Sequence, residues 1–222
     1  MKPRIGSWDL LYRRECLIPT WRGLLLLLLS GILLLGIGAA TVHPFLAVTN
    51  PVQAEILVVE GWLPDYALEK AKIEFERQHY RKLYVTGGPL EIGGYLSQYK
   101  TYAEIGVATL LRMGLAKDVI EAIPAPAVLR DRTHASAKAL KSLLIQQAAS
   151  NSNINLVSIG LHARRSQLLF QQAFGEFSRV GVIAIENQEY DPTHWWVSSE
   201  GVRTVINESI AYLYALIIFP FV

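Results

Sequence analysis

Cysteine is almost absent: Cys16 is the only one in 222 residues. It lies in what reads below as a cytoplasmic tail, so no disulfide framework braces the rest, and the folded part needs an ordinary apolar core. Charge of one sign is not in excess either. A formal net charge of +2 removes any whole-chain argument for nucleic acid as a partner. His43, His79, His134 and His194 lack the paired spacing of metal ligands, so no dedicated metal site is expected. The Walker phosphate loop, the zinc-protease helix motif and the nucleophile-elbow serine are missing. No internal repeat occurs, and the one low-complexity stretch is a leucine-rich run.

That run, GLLLLLLSGILLLGIGAATV, holds no charge from residue 23 to 42. At about 1.5 Å per residue, roughly 20 apolar residues cross a hydrocarbon core of about 30 Å, so a transmembrane helix is expected. Lys2, Arg4, Arg13, Arg14 and Arg22 precede it against Asp9 and Glu15. The positive-inside rule then keeps the N-terminus in the cytoplasm and sends the rest across. A cleaved signal peptide is the alternative, but the run exceeds the usual apolar region of about 7 to 15 residues. The organisation expected is a cytoplasmic tail at 1–22, a signal anchor at 23–42, a linker at 43–54 and an extracytoplasmic domain at 55–222. The localisation is single-pass in the plasma (inner) membrane with the domain periplasmic or exterior, and the lipid bilayer is a partner. About 170 residues beyond the anchor suffice for one domain.

Within that domain, apolar runs too short for helices alternate with stretches of helical spacing, the signature of a parallel sheet with crossover helices. EILVVEG, KLYVTGGP, VIEAIPAP, NINLVSIG and VGVIAIE read as five strands. Helices are expected from Pro64, from about Ser97 to a stop at Gly114, from Asp131 and from His162. The fold class is α/β: a Rossmann-like three-layer sandwich with a mostly parallel sheet of about five strands, preceded by one transmembrane helix. The C-terminal segment, ending AYLYALIIFPFV, is short for a span and reads as a buried or interfacial helix.

In open parallel sheets, ligands bind outside the carboxyl ends of the strands, where strand order reverses. Glu60, Trp62 and Asp65 follow the first strand; Thr86, Gly87 and Gly88 the second; Arg130, Asp131, Arg132 and Thr133 the third; His162, Arg164 and Arg165 the fourth. Two helices thus begin among cations, although a helix N-terminus is already electropositive and suits an anion. Arginine adds bidentate geometry for phosphate or carboxylate. The alternative is that these arginines form ion pairs or face solvent. Glu60 and Glu104 are candidate acids or bases, or else salt-bridge partners of Arg165 or Arg132. Gly87 and Gly88 could let backbone approach a phosphate, or serve a sharp turn. His162 is the strongest general acid/base candidate, beside two arginines that could tune it. For Trp195 and Trp196, core packing is the default.

The strand EILVVEGW, the turn VTGG, Glu104 on its helix, the helix start DRTHASA and the turn GLHARRS together resemble the ElyC/SanA/YdcF family of bacterial envelope proteins, over most of residues 55–175. The resemblance implies a Rossmann-like domain outside the inner membrane, with the family's site positions on Gly87, Gly88, Glu104, Thr133, His162 and Arg165. The first strand departs from the pattern, since EGWLPD stands where many members have a shorter glycine turn. Links to peptidoglycan and lipid-carrier metabolism are implied, without a settled reaction or cofactor.

The expectation is a membrane-anchored envelope protein whose exterior pocket binds a phosphorylated or other anionic ligand, such as a phosphorylated envelope precursor or a nucleotide-like molecule. A non-catalytic scaffold or regulator of envelope assembly is the competing class. An S-adenosylmethionine-binding, methyltransferase-like protein ranks lower, because no glycine-rich fingerprint follows the first strand.

Overall fold

The computed structural model describes the backbone of 4–5 and 11–12 and all of 19–94, 96–147 and 152–219. Most of the expected cytoplasmic tail, with Lys2, Arg13, Arg14 and Cys16, lies outside the described residues, as do Ala148 and Ala149 of one expected helix and the last three residues. The chain divides into two compact units, Met1–Ala39 and Ala40–Val222.

In the first unit, β1 (Arg4–Ile5) and β2 (Leu11–Tyr12) pair antiparallel, and helix α1 (Trp21–Leu46) begins. Among the described residues α1 is the one helix long and apolar enough to cross a membrane, with a mean hydropathy of 2.5 over its most apolar window.

The second unit is an α/β domain. Its elements are β3 (Ile56–Glu60), α2 (Asp65–Arg77), β4 (Lys82–Gly87), α3 (Tyr102–Arg112), β5 (Ile120–Pro124), α4 (Arg132–Gln146), β6 (Ile154–Ile159), α5 (His162–Phe174), β7 (Val180–Ile185) and α6 (Ser199–Ile217). The five strands form one parallel sheet in the order β5-β4-β3-β6-β7. Strand order therefore reverses between β3 and β6.

Alternation along the strands sorts the core into two layers. Leu57, Val59, Leu83 and Val85 meet Leu68 and Phe75 of α2 and Leu110 of α3 on one face. Ile56, Val58, Tyr84, Ile154 and Leu156 meet Leu140 and Leu144 of α4 and Phe170 and Phe174 of α5 on the other. The strands are apolar on both sides because both sides are covered.

Two local departures from expectation have physical causes. Helix α3 starts at Tyr102 rather than near Ser97, because Thr101 caps it: the Thr101 hydroxyl accepts from the Glu104 amide while Glu104 accepts from the Thr101 amide. The segment expected as a linker, 43–54, belongs to the domain. Leu46 is fully buried with Leu161, Tyr190 and Val205, and the Phe45 ring meets Tyr212 edge-on at 5.7 Å. Asn50 then bridges Val182 antiparallel, and Val52 exchanges hydrogen bonds with the Asn155 side chain at 2.9 and 2.8 Å. This stretch caps the free side of β7, an edge otherwise open to pairing.

Candidate active site at the carboxyl edge of the sheet

Glu60 ends β3, and the alternation that sends Ile56 and Val58 toward α4 and α5 sends Glu60 the same way. Glu60 lies opposite Thr86 in register, and Val59 lies opposite Val157, so Ser158 follows beside Glu60. Three adjacent strands thus turn from apolar to polar at their last inward positions. Glu60, Thr86 and Ser158 are 3%, 1% and 0% exposed.

A buried carboxylate needs donors. Ser158 Oγ donates to Glu60 Oε2 at 2.5 Å and Ser166 Oγ, from α5, donates to Oε1 at 3.0 Å. His162 Nε2 stands 3.6 Å from Oε1. On its other side, His162 Nδ1 donates to Glu208 Oε1 of α6 at 3.0 Å. Arg165 closes a fork on the same carboxylate, Nε to Oε2 at 2.9 Å and Nη2 to Oε1 at 3.1 Å. Its Nη2 also lies 2.8 Å from His162 Nδ1, a like-charge approach that Glu208 bridges. The Trp62 ring packs edge-on against the imidazole at 5.0 Å.

The electrostatics follow from this sandwich. Burial works to lower the His162 pKa, but the charge of Glu60 and the hydrogen bonds to Glu208 and Glu60 outweigh it and lift it to about 9. Burial works to raise Glu208, but its hydrogen bonds to His162 and Arg165 and their charges bring it down to about 2. Glu60 is likewise held below the ordinary carboxylate value against its burial, mainly by His162. At neutral pH the site holds an imidazolium between two carboxylates, suited to donating a proton or a hydrogen bond.

These groups line a cavity of about 730 Å³ that the β4–α3 and β5–α4 connections and α6 enclose. Of the residues singled out from sequence, Glu60, His162, Arg165, Gly87, Gly88, Arg130, Arg132 and Thr133 line it. The α4 end supplies a distinct wall. Asp131 takes a left-handed conformation, φ 60°, and no side chain caps the helix start. The first-turn amides of α4 are thereby left to other partners. Arg130 and Arg132 flank them; Arg132 pairs with the exposed Glu91.

Two candidates stand elsewhere. The carboxylate of Glu104 is taken up by the amides of Lys100 and Thr101, at 2.6 and 2.9 Å, in the α3 cap. Arg164 does not line the cavity: it donates to the Phe45 carbonyl, its guanidinium 4.0 Å from the Phe45 ring centre. The cations at the start of α5 are therefore met by Glu208 and by the last turn of α1. Gly87 answers a packing need, since a Cβ there would stand 2.7 Å from the Ala103 amide nitrogen. Trp195 packs against the Leu46 cluster, while Trp196 is 49% exposed, contrary to core packing for both.

Glu208, in the middle of α6 and away from the strand ends, is not among the residues singled out from sequence. Its signal was a lone carboxylate within the mainly apolar stretch that begins at Val205. Ser158 and Ser166 carried no comparable signal. Among the residues that line the cavity, Thr86 carries a buried hydroxyl without a hydrogen-bond partner, and the buried His162 Nε2 has only the Glu60 carboxylate at 3.6 Å. Among the described residues no cluster of His, Cys, Asp and Glu could hold a metal ion. Comparison with protein families, characterised proteins and solved structures finds no match for this chain.

Proposed function

We propose that this is a membrane-anchored envelope protein, its N-terminus cytoplasmic and its α/β domain outside the plasma membrane, whose cavity binds a phosphorylated or other anionic ligand of cell-wall or lipid-carrier metabolism. The observation that carries the ligand reading is the uncapped start of α4, opening on the cavity between Arg130 and Arg132. Free amides, the helix dipole and guanidinium groups are the recurring means of holding a phosphate. The apolar α1 and the resemblance to the ElyC/SanA/YdcF family support the envelope setting. His162, charged and buried beside the same cavity, is the lining group suited to general acid chemistry on a bound ligand, with Glu60 and Glu208 holding it in place.

Calorimetric titration of the full chain in detergent micelles with inorganic phosphate and pyrophosphate tests this reading. Wild type binds, and the double variant Arg130→Ala, Arg132→Ala loses about tenfold or more in affinity. Failure of wild type to bind either anion sinks it.

One observation favours the second reading, a non-catalytic scaffold or regulator. Glu60, Glu208, His162 and Arg165 cancel one another's charge and tie β3, α5 and α6 together. Under that reading a bound phosphate ester is recovered unchanged after long incubation, followed by phosphorus NMR, whereas release of orthophosphate excludes it.

A further inference from the structure

The cavity has two chemically different ends. At the α4 wall, Arg130 and Arg132 stand beside uncapped helix amides. At the floor, two carboxylates face one imidazolium and one guanidinium, so the floor is already neutral. A phosphate pushed down to the floor would meet Glu60 and Glu208, and its desolvation would find no surplus positive charge in return. At the wall Asp131 and Glu91 balance Arg130 and Arg132, but those guanidinium groups are exposed and the helix start adds its amides, so an anion belongs there.

The floor nevertheless has unmet needs. Thr86 is 1% exposed and its hydroxyl has no partner, while the buried His162 Nε2 meets only the Glu60 carboxylate, at 3.6 Å. A buried polar atom without a partner is costly, and Thr86 and His162 both line the cavity. The Thr86 hydroxyl can donate or accept, so it suits a neutral group that does both, such as an alcohol. Trp62, 41% exposed on the same lining, offers an apolar ring beside His162 for the C–H face of a saturated ring. The volume, about 730 Å³, lies within the range of about 300 to 1,000 Å³ common for small-molecule sites.

We infer that the ligand is a phosphate ester of a hydroxyl-rich ring, bound with its phosphate at the start of α4 and its hydroxyl groups toward Thr86. This rests on the anionic-ligand reading and adds the part of the molecule that phosphate alone does not represent. Sugar phosphates and nucleoside phosphates share the chemistry; a saturated polyol ring is common to both.

The test is a calorimetric panel on the full chain in micelles: inorganic phosphate, ethyl phosphate, glucose 1-phosphate, uridine 5′-monophosphate and methyl glucoside. Both ring esters bind at least tenfold tighter than ethyl phosphate if the floor takes hydroxyl groups, or one does if a single source is preferred. Thr86→Val, which replaces the unpartnered hydroxyl with a methyl and melts no lower than wild type, brings the ring esters to the affinity of ethyl phosphate and leaves ethyl phosphate unchanged. Thr86→Ser keeps the gain. Equal binding of ethyl phosphate and both ring esters by wild type overturns this inference alone, without recourse to any variant, as does a gain that survives in Thr86→Val. Failure of every phosphate to bind, or methyl glucoside binding as tightly as glucose 1-phosphate, overturns the anionic reading and this inference with it.

Discussion

His162 lies between Glu60 and Glu208, each partner's charge dependent on the other's, and that dependence reaches the stability of the domain. A pKa raised in the folded state, from the ordinary 6.5 to about 9, means that folding favours the proton. The stabilisation from His162 is complete below about pH 6.5 and is lost as pH rises through 9. Glu208 runs the other way: its pKa falls from 4.5 to about 2, so its contribution is present above about pH 4.5 and disappears as pH falls through 2. The cluster stabilises the domain most between those limits. Thermal melts from pH 3 to 9 are expected to show a larger gap between wild type and Glu208→Gln near pH 5.5 than at either end. A gap that does not vary with pH would show that the cluster is not charged as described. From the residues themselves, Glu60 and His162 were legible because they sit at strand ends, where a parallel sheet gathers polar groups. Glu208 was not, because nothing in its own neighbourhood reveals which helix it will face.

Among the elements, α3 shows how backbone proximity shapes the site. Its first turn abuts the ends of β3 and β4, and a Cβ on Gly106 would stand 2.7 Å from Val85 Cγ1 and 3.1 Å from the Gly61 Cα. Val85 can shift a little, but the Gly61 backbone cannot without moving the end of β3 that carries Glu60. Gly106→Ala is expected to cost about 1 to 3 kcal/mol, as overpacking does, read by chemical denaturation. It also weakens phosphate binding, since β3 and β4 both deliver cavity residues. An unchanged midpoint would mean that the helix can retreat freely. The crossover pattern, five short apolar runs with helices between, was readable from spacing alone. The start of α3 was not, because a capping box decides it through two hydrogen bonds, whereas the apolar periodicity runs on past it.

The whole domain extends further toward the N-terminus than hydropathy suggests. Val42 and Leu46 close α1 against Leu161, Val205 and Tyr190, and Arg164 holds the Phe45 carbonyl. Leu161 precedes His162 directly, so the packing of Leu46 supports the start of α5 and with it the site. Leu46→Ala is expected to destabilise the domain by about 2 to 5 kcal/mol, the usual range for a fully buried leucine, in denaturation of the full chain in micelles. A loss below about 1 kcal/mol would mark residues 43–46 as the linker they resemble in sequence.

The sequence by itself determined the α/β class, the parallel sheet, the apolar helix near the N-terminus and the end of the sheet where polar residues collect. All of these follow from local periodicity and from the topology it forces. Tertiary structure alone decided which polar residues face one another. It placed Glu208 against His162 and Arg165, gave Arg164 to Phe45 and left the buried Thr86 hydroxyl without a partner. Pairing across the fold depends on contacts between residues far apart in the chain, here 46 positions from His162 to Glu208, and no local pattern encodes that distance.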